Sequence, residues 1–111
     1  MARKRKTSAG PSARQLDELI EEATVDAHDE DEQASGFFNV IDEYLALPFR
    51  TRIFGVDVSV VAVEMDNDGG LKAVCEGAGK RQRVGLLDLP LPSPAPCGAE
   101  WIAAYRRWRG G

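Results

Sequence analysis

Asp26-Ala27-His28-Asp29-Glu30-Asp31-Glu32-Gln33, running on through Gly36-Phe37-Phe38 to Leu47-Pro48-Phe49, is where a helical pattern gives way to an extended one. Residues 15–46 carry apolar or small side chains at Leu16, Leu19, Ile20, Ala23, Ala27, Ala34, Phe37, Phe38, Ile41 and Leu45. Their successive gaps of three and four are the helical period. Ser12, with Gln15 three residues later, is a start signature. Pro48 stops the pattern, because proline disfavours helix in the residue before it. Gly36 offers a break into two helices, 14–35 and 37–46.

On one continuous helical wheel, Glu22, Asp26, Asp29 and Gln33 line up beside the apolar stripe, and Glu30 falls within it. Asp31 and Glu32 lie further round, and His28 points away. A carboxylate pressed against a core is costly unless it is protonated, paired or metal-bound. No Lys or Arg lies within residues 15–49 to pair it. A hard cation is one compensation, since Ca²⁺ takes about 6–8 oxygen ligands, often carboxylates. The competing reading is a solvated acidic face, which is common. One straight helix cannot wrap an ion, so further oxygens have to come from Gly36, a nearby loop or water.

Beyond Pro48, residues Phe49 to Leu89 read as strands. Val56, Val58, Val60 and Ala62 alternate with Asp57, Ser59 and Val61, and the run continues to Glu64. Leu71 to Glu76 and Arg83 to Leu87 follow, each after a Gly-rich turn. Short strands with such turns suggest a small meander or an SH3-like barrel. Asp66-Asn67-Asp68-Gly69-Gly70 invites a calcium-loop reading but fails the EF-hand pattern: glycine comes fourth rather than sixth, and Gly77 stands where Glu is needed. A hairpin turn is the simpler reading. Pro90, Pro92, Pro94 and Pro96 form a stiff connector. Ala99 to Arg109 is a short helix with Trp101, Tyr105 and Trp108 on one face, and those rings are worth burying.

With 111 residues, the chain suits one domain. Its net charge of −4 hides three blocks. Residues 1–14 carry five bases and no acids, residues 15–49 eleven acids and no Lys or Arg, and residues 50–111 nine bases and seven acids. Residues 1–13 have almost nothing to bury and read as a disordered basic tail, with 14–111 as the single domain. No aromatic residue interleaves Arg3, Lys4, Arg5 and Lys6, which disfavours nucleic acid as a partner. No stretch approaches the ~20 apolar residues of a membrane span, and no signal-peptide core follows the basic start, so a soluble cytoplasmic protein is expected, with no membrane partner. Cys75 and Cys97 have no metal-ligand spacing and are expected as free thiols. No nucleophile–base signature, dinucleotide fingerprint or P-loop occurs, so neither an enzyme nor a small-molecule substrate is expected.

The octapeptide 26–33, with Gly36-Phe37 after it and Leu47-Pro48-Phe49 beyond, resembles the CcbP family of small bacterial calcium-binding proteins. The family pattern is Asp-Ala-Tyr-Asp-x-x-Glu-Gln, then Gly-aromatic, then Pro-Phe entering a β region. The resemblance continues through Gly55-Val56-Asp57-Val58, the 86–89 stretch and the Trp101/Trp108 helix. Asp26, Asp29, Glu32 and Gln33 match the motif; His28 replaces its Tyr. The resemblance implies calcium binding or buffering without an EF-hand. The expected fold is α+β, with an acidic N-terminal helical segment packed on a small antiparallel SH3-like barrel or meander and a short C-terminal helix. The candidate calcium ligands are Asp26, Asp29, Glu30 and Glu32, Glu30 resting on the wheel and Glu32 on the motif. They do not share one face of an ideal helix, so either the helix ends there or one is not a ligand. The rival reading is a metal-independent module that holds a protein or nucleic acid.

Overall fold

The alternating region after Pro48 folds into four antiparallel strands in the order β1-β2-β3-β4: β1 Phe49–Ile53, β2 Val56–Met65, β3 Leu71–Gly77 and β4 Lys80–Gly85. The computed structural model describes residues 10–110. Among the described residues three helices complete it: α1 Ala13–Ala23, α2 Glu30–Tyr44 and α3 Ala99–Gly110. The architecture is α+β, as expected, and the sheet is the meander of the two alternatives. Among the described residues no pairing joins β1 to β4 to close a barrel.

Turn chemistry sets the strand register. Phe54-Gly55 and Ala78-Gly79 each place two consecutive residues at positive φ, the geometry that matches the twist of a tight hairpin. The β2–β3 connection is a wider turn, closed by Asp66 N–H to the Gly70 carbonyl at 2.8 Å. A bulge between Val60 and Ala62 shifts the β2 alternation. The inward set is therefore Val58, Val60 and then Val63, not Ala62. The last strand is also displaced from Arg83–Leu87 to Lys80–Gly85. The reason is burial: Leu86 and Leu89 leave the sheet to fill the core, both about fully enclosed.

The inner face buries Phe49, Thr51, Val58, Val60, Val63, Leu71, Ala73 and Cys75. Thr51 Oγ1, the buried polar atom of this set, donates to the Pro90 carbonyl at 2.7 Å and seats the proline connector. The outer face carries Arg52–Asp57, Arg83–Glu64 and Arg81–Glu76 ion pairs. Exposed pairs of this kind add little stability, roughly 0.2–1 kcal/mol each. Their charges have a second use: β1 and β4 are edges, and Arg50, Arg52, Lys80, Arg81 and Arg83 discourage another strand from pairing there.

Helices α2 and α3 cover the inner face. Phe37, Ile41, Ile102 and Tyr105 are buried, with Phe37 edge-on to Tyr105 at 5.6 Å and tilted against Trp108 at 5.0 Å. Leu71 N–H donates to the Tyr105 hydroxyl at 3.3 Å, tying α3 to β3. The aromatic face of α3 is thus core. Helix α1 lies on α3 through the half-buried Leu16, Leu19 and Ile20, with Arg107–Asp17 at 2.7 Å across the seam.

The N-terminal helical stretch breaks elsewhere than expected. Ser12 and Gln15 form the anticipated reciprocal cap, and α1 then starts at Ala13. It ends at Ala23, and α2 runs unbroken through Gly36. Glycine there permits a close crossing: a Cβ on Gly36 would stand 2.1 Å from the Ala23 carbonyl oxygen. Gly36 is the seat of α1 on α2, not a helix break. Of the tail expected over 1–13, residues 1–9 lie outside the described residues, and Ala13 is helical.

Candidate metal centre

The break between α1 and α2, residues 24–29, turns the acidic octapeptide from one helical face into a loop followed by a helix start. Thr24 closes α1, with its N–H and its hydroxyl both donating to the Ile20 carbonyl. Asp29 opens α2 from an extended backbone, φ −139°, and its Oδ1 accepts the Glu32 N–H at 2.9 Å. Glu32 reaches back and accepts the His28 N–H at 2.7 Å. One helix-start donor, the Glu32 N–H, and the N–H of the residue before the cap are thus each satisfied by a carboxylate. Glu30, Asp31 and Glu32 fill the first turn, where negative charge suits the helix dipole by about 0.3–1 kcal/mol each.

This arrangement corrects the wheel. The helical phase restarts at Asp29, so Glu30 is the first residue of α2 and is exposed rather than pressed on the core. The signal that marks the restart is Asp29-x-x-Glu32, a capping-box spacing inside the acidic run.

A shallow open concavity of about 640 Å³ lies at the α1–α2 junction. Its oxygen-bearing walls are Asp26, Asp31, Glu32, Ser35 and Asn39, with Gly36 in the lining. Of the four expected ligands, Asp26 and Glu32 face this hollow; Asp29 and Glu30 are not among its lining residues. Asp31, which neither the wheel nor the family motif selects, joins them. Among the described residues no three Asp, Glu, His or Cys side chains converge as a ready metal cluster. The donors at hand are hard oxygens, the type that suits Ca²⁺ or Mg²⁺ over softer ions.

The β2–β3 turn approaches the same place. Asp31 Oδ1 lies 4.0 Å from where a Cβ on Gly69 would stand. Its own carboxylates are engaged within the turn. Asp66 pairs with Lys72 at 2.6 Å, which raises the lysine pKa, and Asp68 accepts the Gly70 N–H at 2.9 Å. The hairpin reading of 66–70 is the one the structure bears out. Gln33 serves the core: its Oε1 accepts the Trp108 indole N–H at 3.3 Å, linking the octapeptide to α3. Cys75 is buried and Cys97 exposed, both free.

A four-stranded meander backed by α2 and α3, with an acid-lined junction between α1 and α2, defines a small α+β class with a carboxylate-rich helix start. Solved structures share the fold. One described as a calcium-binding protein in its calcium-binding form matches 86% of this chain and 90% of its own, with a TM-score of 0.68 and 21% identity. The crystal structure of CcbP from Anabaena matches 92% of this chain and 94% of its own, with a TM-score of 0.67 and 19% identity. The resemblance to CcbP is therefore real at the level of fold. No family model matches the sequence, and no curated protein does. No helix among the described residues is long and apolar enough to cross a membrane.

Proposed function

We propose that this chain binds calcium at the acidic α1–α2 junction, as an intracellular buffer or sensor, by binding alone and without an EF-hand. The observation that carries the reading is the shared fold, since a structural neighbour is described in its calcium-binding form. The ligands proposed are Asp26, Asp29, Glu30 and Glu32. Asp26 and Glu32 stand nearest to readiness, because both already face one hollow with Asp31. Ca²⁺ tolerates irregular shells of carboxylate, carbonyl and water oxygens, which a loop ahead of a helix supplies better than a straight helix does. The carboxylates repel one another until an ion draws them in, so side-chain ordering is part of the binding cost.

A calorimetric Ca²⁺ titration of chelator-stripped protein in millimolar Mg²⁺ tests this. Saturable heat that is lost in Asp26→Asn/Asp29→Asn is the expected result. It should come with stabilisation of about 2.7 kcal/mol at a hundredfold excess over Kd. Heat that survives the double change would move the ligands off the junction. No heat above dilution, with no rise in melting temperature, would end the calcium reading for this chain.

A further inference from the structure

Phe54 breaks two local rules at once. It holds the first left-handed position of the β1–β2 turn, φ 50°, where Asn, Asp or Gly is the unstrained choice. Its ring is 99% exposed. Neither backbone nor core gains from an aromatic ring at that site, and strain kept together with exposure directs attention outside the chain. The β3–β4 turn lies at the same end of the sheet, because Gly77 packs on the Asp57 carbonyl. That end carries Arg50, Arg52, Lys80 and Arg81 against Asp57 and Glu76, with Val56 exposed beside the ring.

The opposite end of the sheet has the complementary character. There the β2–β3 turn meets Asp31, and the α1–α2 hollow is rimmed by Asp26, Asp31 and Glu32. Its apolar lining includes Val40 and Val25, the latter exposed. A protruding ring in a basic collar stands at one end and an apolar-lined hollow in an acidic rim at the other. Strand β2 separates them by ten residues, roughly 33 Å. One chain cannot close this contact on itself.

We propose that the Phe54 hairpin end docks into the α1–α2 hollow of a second copy, head to tail. Opposite charges steer the approach and the ring fills the hollow. The contact is small, so the association is weak and transient. It is heterologous, so it yields pairs and short rows rather than one closed symmetric dimer. The argument for it does not use the calcium reading, but both draw on Asp26 and Glu32 of one hollow, so an ion bound there competes with the ring.

Sedimentation velocity on the full chain, at low salt with chelator present, tests it. The expected result is a weight-average mass that rises with concentration and falls back in about 0.5 M NaCl, where screening is strong. Phe54→Asn should abolish the rise while leaving the melting temperature equal or higher, since Asn tolerates the left-handed turn. Asp26→Lys/Asp31→Lys should abolish it from the other end, with a thermal melt confirming folding. An equimolar mixture of the two variants should associate again, limited to pairs, because each retains the end that the other lacks. A wild-type monomer at every concentration would overturn the proposal, as would association that survives Phe54→Asn. Monomeric protein that sediments with anionic vesicles would overturn it in favour of a lipid surface.

Discussion

Gly36→Ala is the substitution for which helix propensity and packing give opposite answers. Gly36 sits inside α2, where replacing Gly by Ala ordinarily stabilises by about 0.8–1.0 kcal/mol. Here the new methyl would stand 2.1 Å from the Ala23 carbonyl oxygen and 3.3 Å from its carbon. Restoring an ordinary contact means moving α1 off α2 by roughly 1 Å, and forced shifts of this kind cost about 1–3 kcal/mol. The obstructing atom is backbone, not the end of a flexible side chain, which places the cost at the upper part of that range. The net expectation is a loss of about 1–2 kcal/mol, or a fall in melting temperature of roughly 4–16 °C for a domain of this size. Thermal denaturation followed by far-UV circular dichroism reads it directly. A rise in melting temperature would refute the reasoning, since it would mean that the α1 carbonyl is not seated against Gly36.

Four further outcomes follow from the structure. Asp29→Asn retains a capping oxygen and should leave stability nearly unchanged, whereas Asp29→Ala should cost about 1 kcal/mol in a denaturant melt. If the Asp29 carboxylate is a calcium ligand, both variants lose affinity, so the pair separates cap from ligand. Gly98→Ala should lower the melting temperature further than Gly36→Ala, because Gly98 has φ +89° and a Cβ there would meet the Tyr44 carbonyl oxygen at 2.3 Å and Leu45 Cα at 2.6 Å. Native protein should expose one reactive thiol to a disulfide reagent, Cys97, with Cys75 modified only on unfolding. Burial pushes the Cys75 thiol pKa up, so the folded state holds that proton more tightly than the unfolded one. Its stabilising contribution is complete below the ordinary thiol value of 9.0 and shrinks as pH rises through and beyond it, which melts between pH 8 and 10 would follow.

How much of this was legible in the sequence differs by element. The β2–β3 and β3–β4 turns, the Ser12–Gln15 cap and the buried aromatic face of α3 were legible because each is a local pattern with a local cause, whereas strand β1 and its Phe54-Gly55 turn carry no Asn, Asp or paired Gly to mark them. The bulge at Val60/Ala62 and the exit of Leu86 from the sheet were not, since both answer to core volume that only the assembled fold defines. The helix break lies elsewhere than the sequence suggests for a physical reason. Glycine is a weak helix former, so Gly36 drew the break, while Asp29-x-x-Glu32 read as charge rather than as a start signal. That error carried into the site. A wheel drawn through a break assigns directions that do not hold, which puts Glu30 on the core and passes over Asp31. Asp26 and Glu32 line the hollow because it forms where the loop meets the new helix.

The double use of these carboxylates constrains any ion that binds at the junction. Asp29 and Glu32 already accept backbone N–H groups, and the first turn of α2 presents the positive end of its dipole. A cation recruiting either carboxylate through the oxygen now engaged must release a cap worth about 1 kcal/mol. Recruiting only the free oxygen of Glu32 avoids that loss and leaves the Asp29 cap intact. The second route departs from the proposed set: it pairs Glu32 with Asp26 and Asp31 across the hollow and leaves Asp29 outside the shell, as the residue that fixes the helix start. It predicts that Asp26→Asn weakens binding more than Asp29→Asn does, and that neither shifts the melting temperature of the ion-free protein appreciably. Equal losses of affinity for the two single variants, measured by calorimetry, would instead favour the first route, with Asp29 inside the shell and the cap exchanged for the ion.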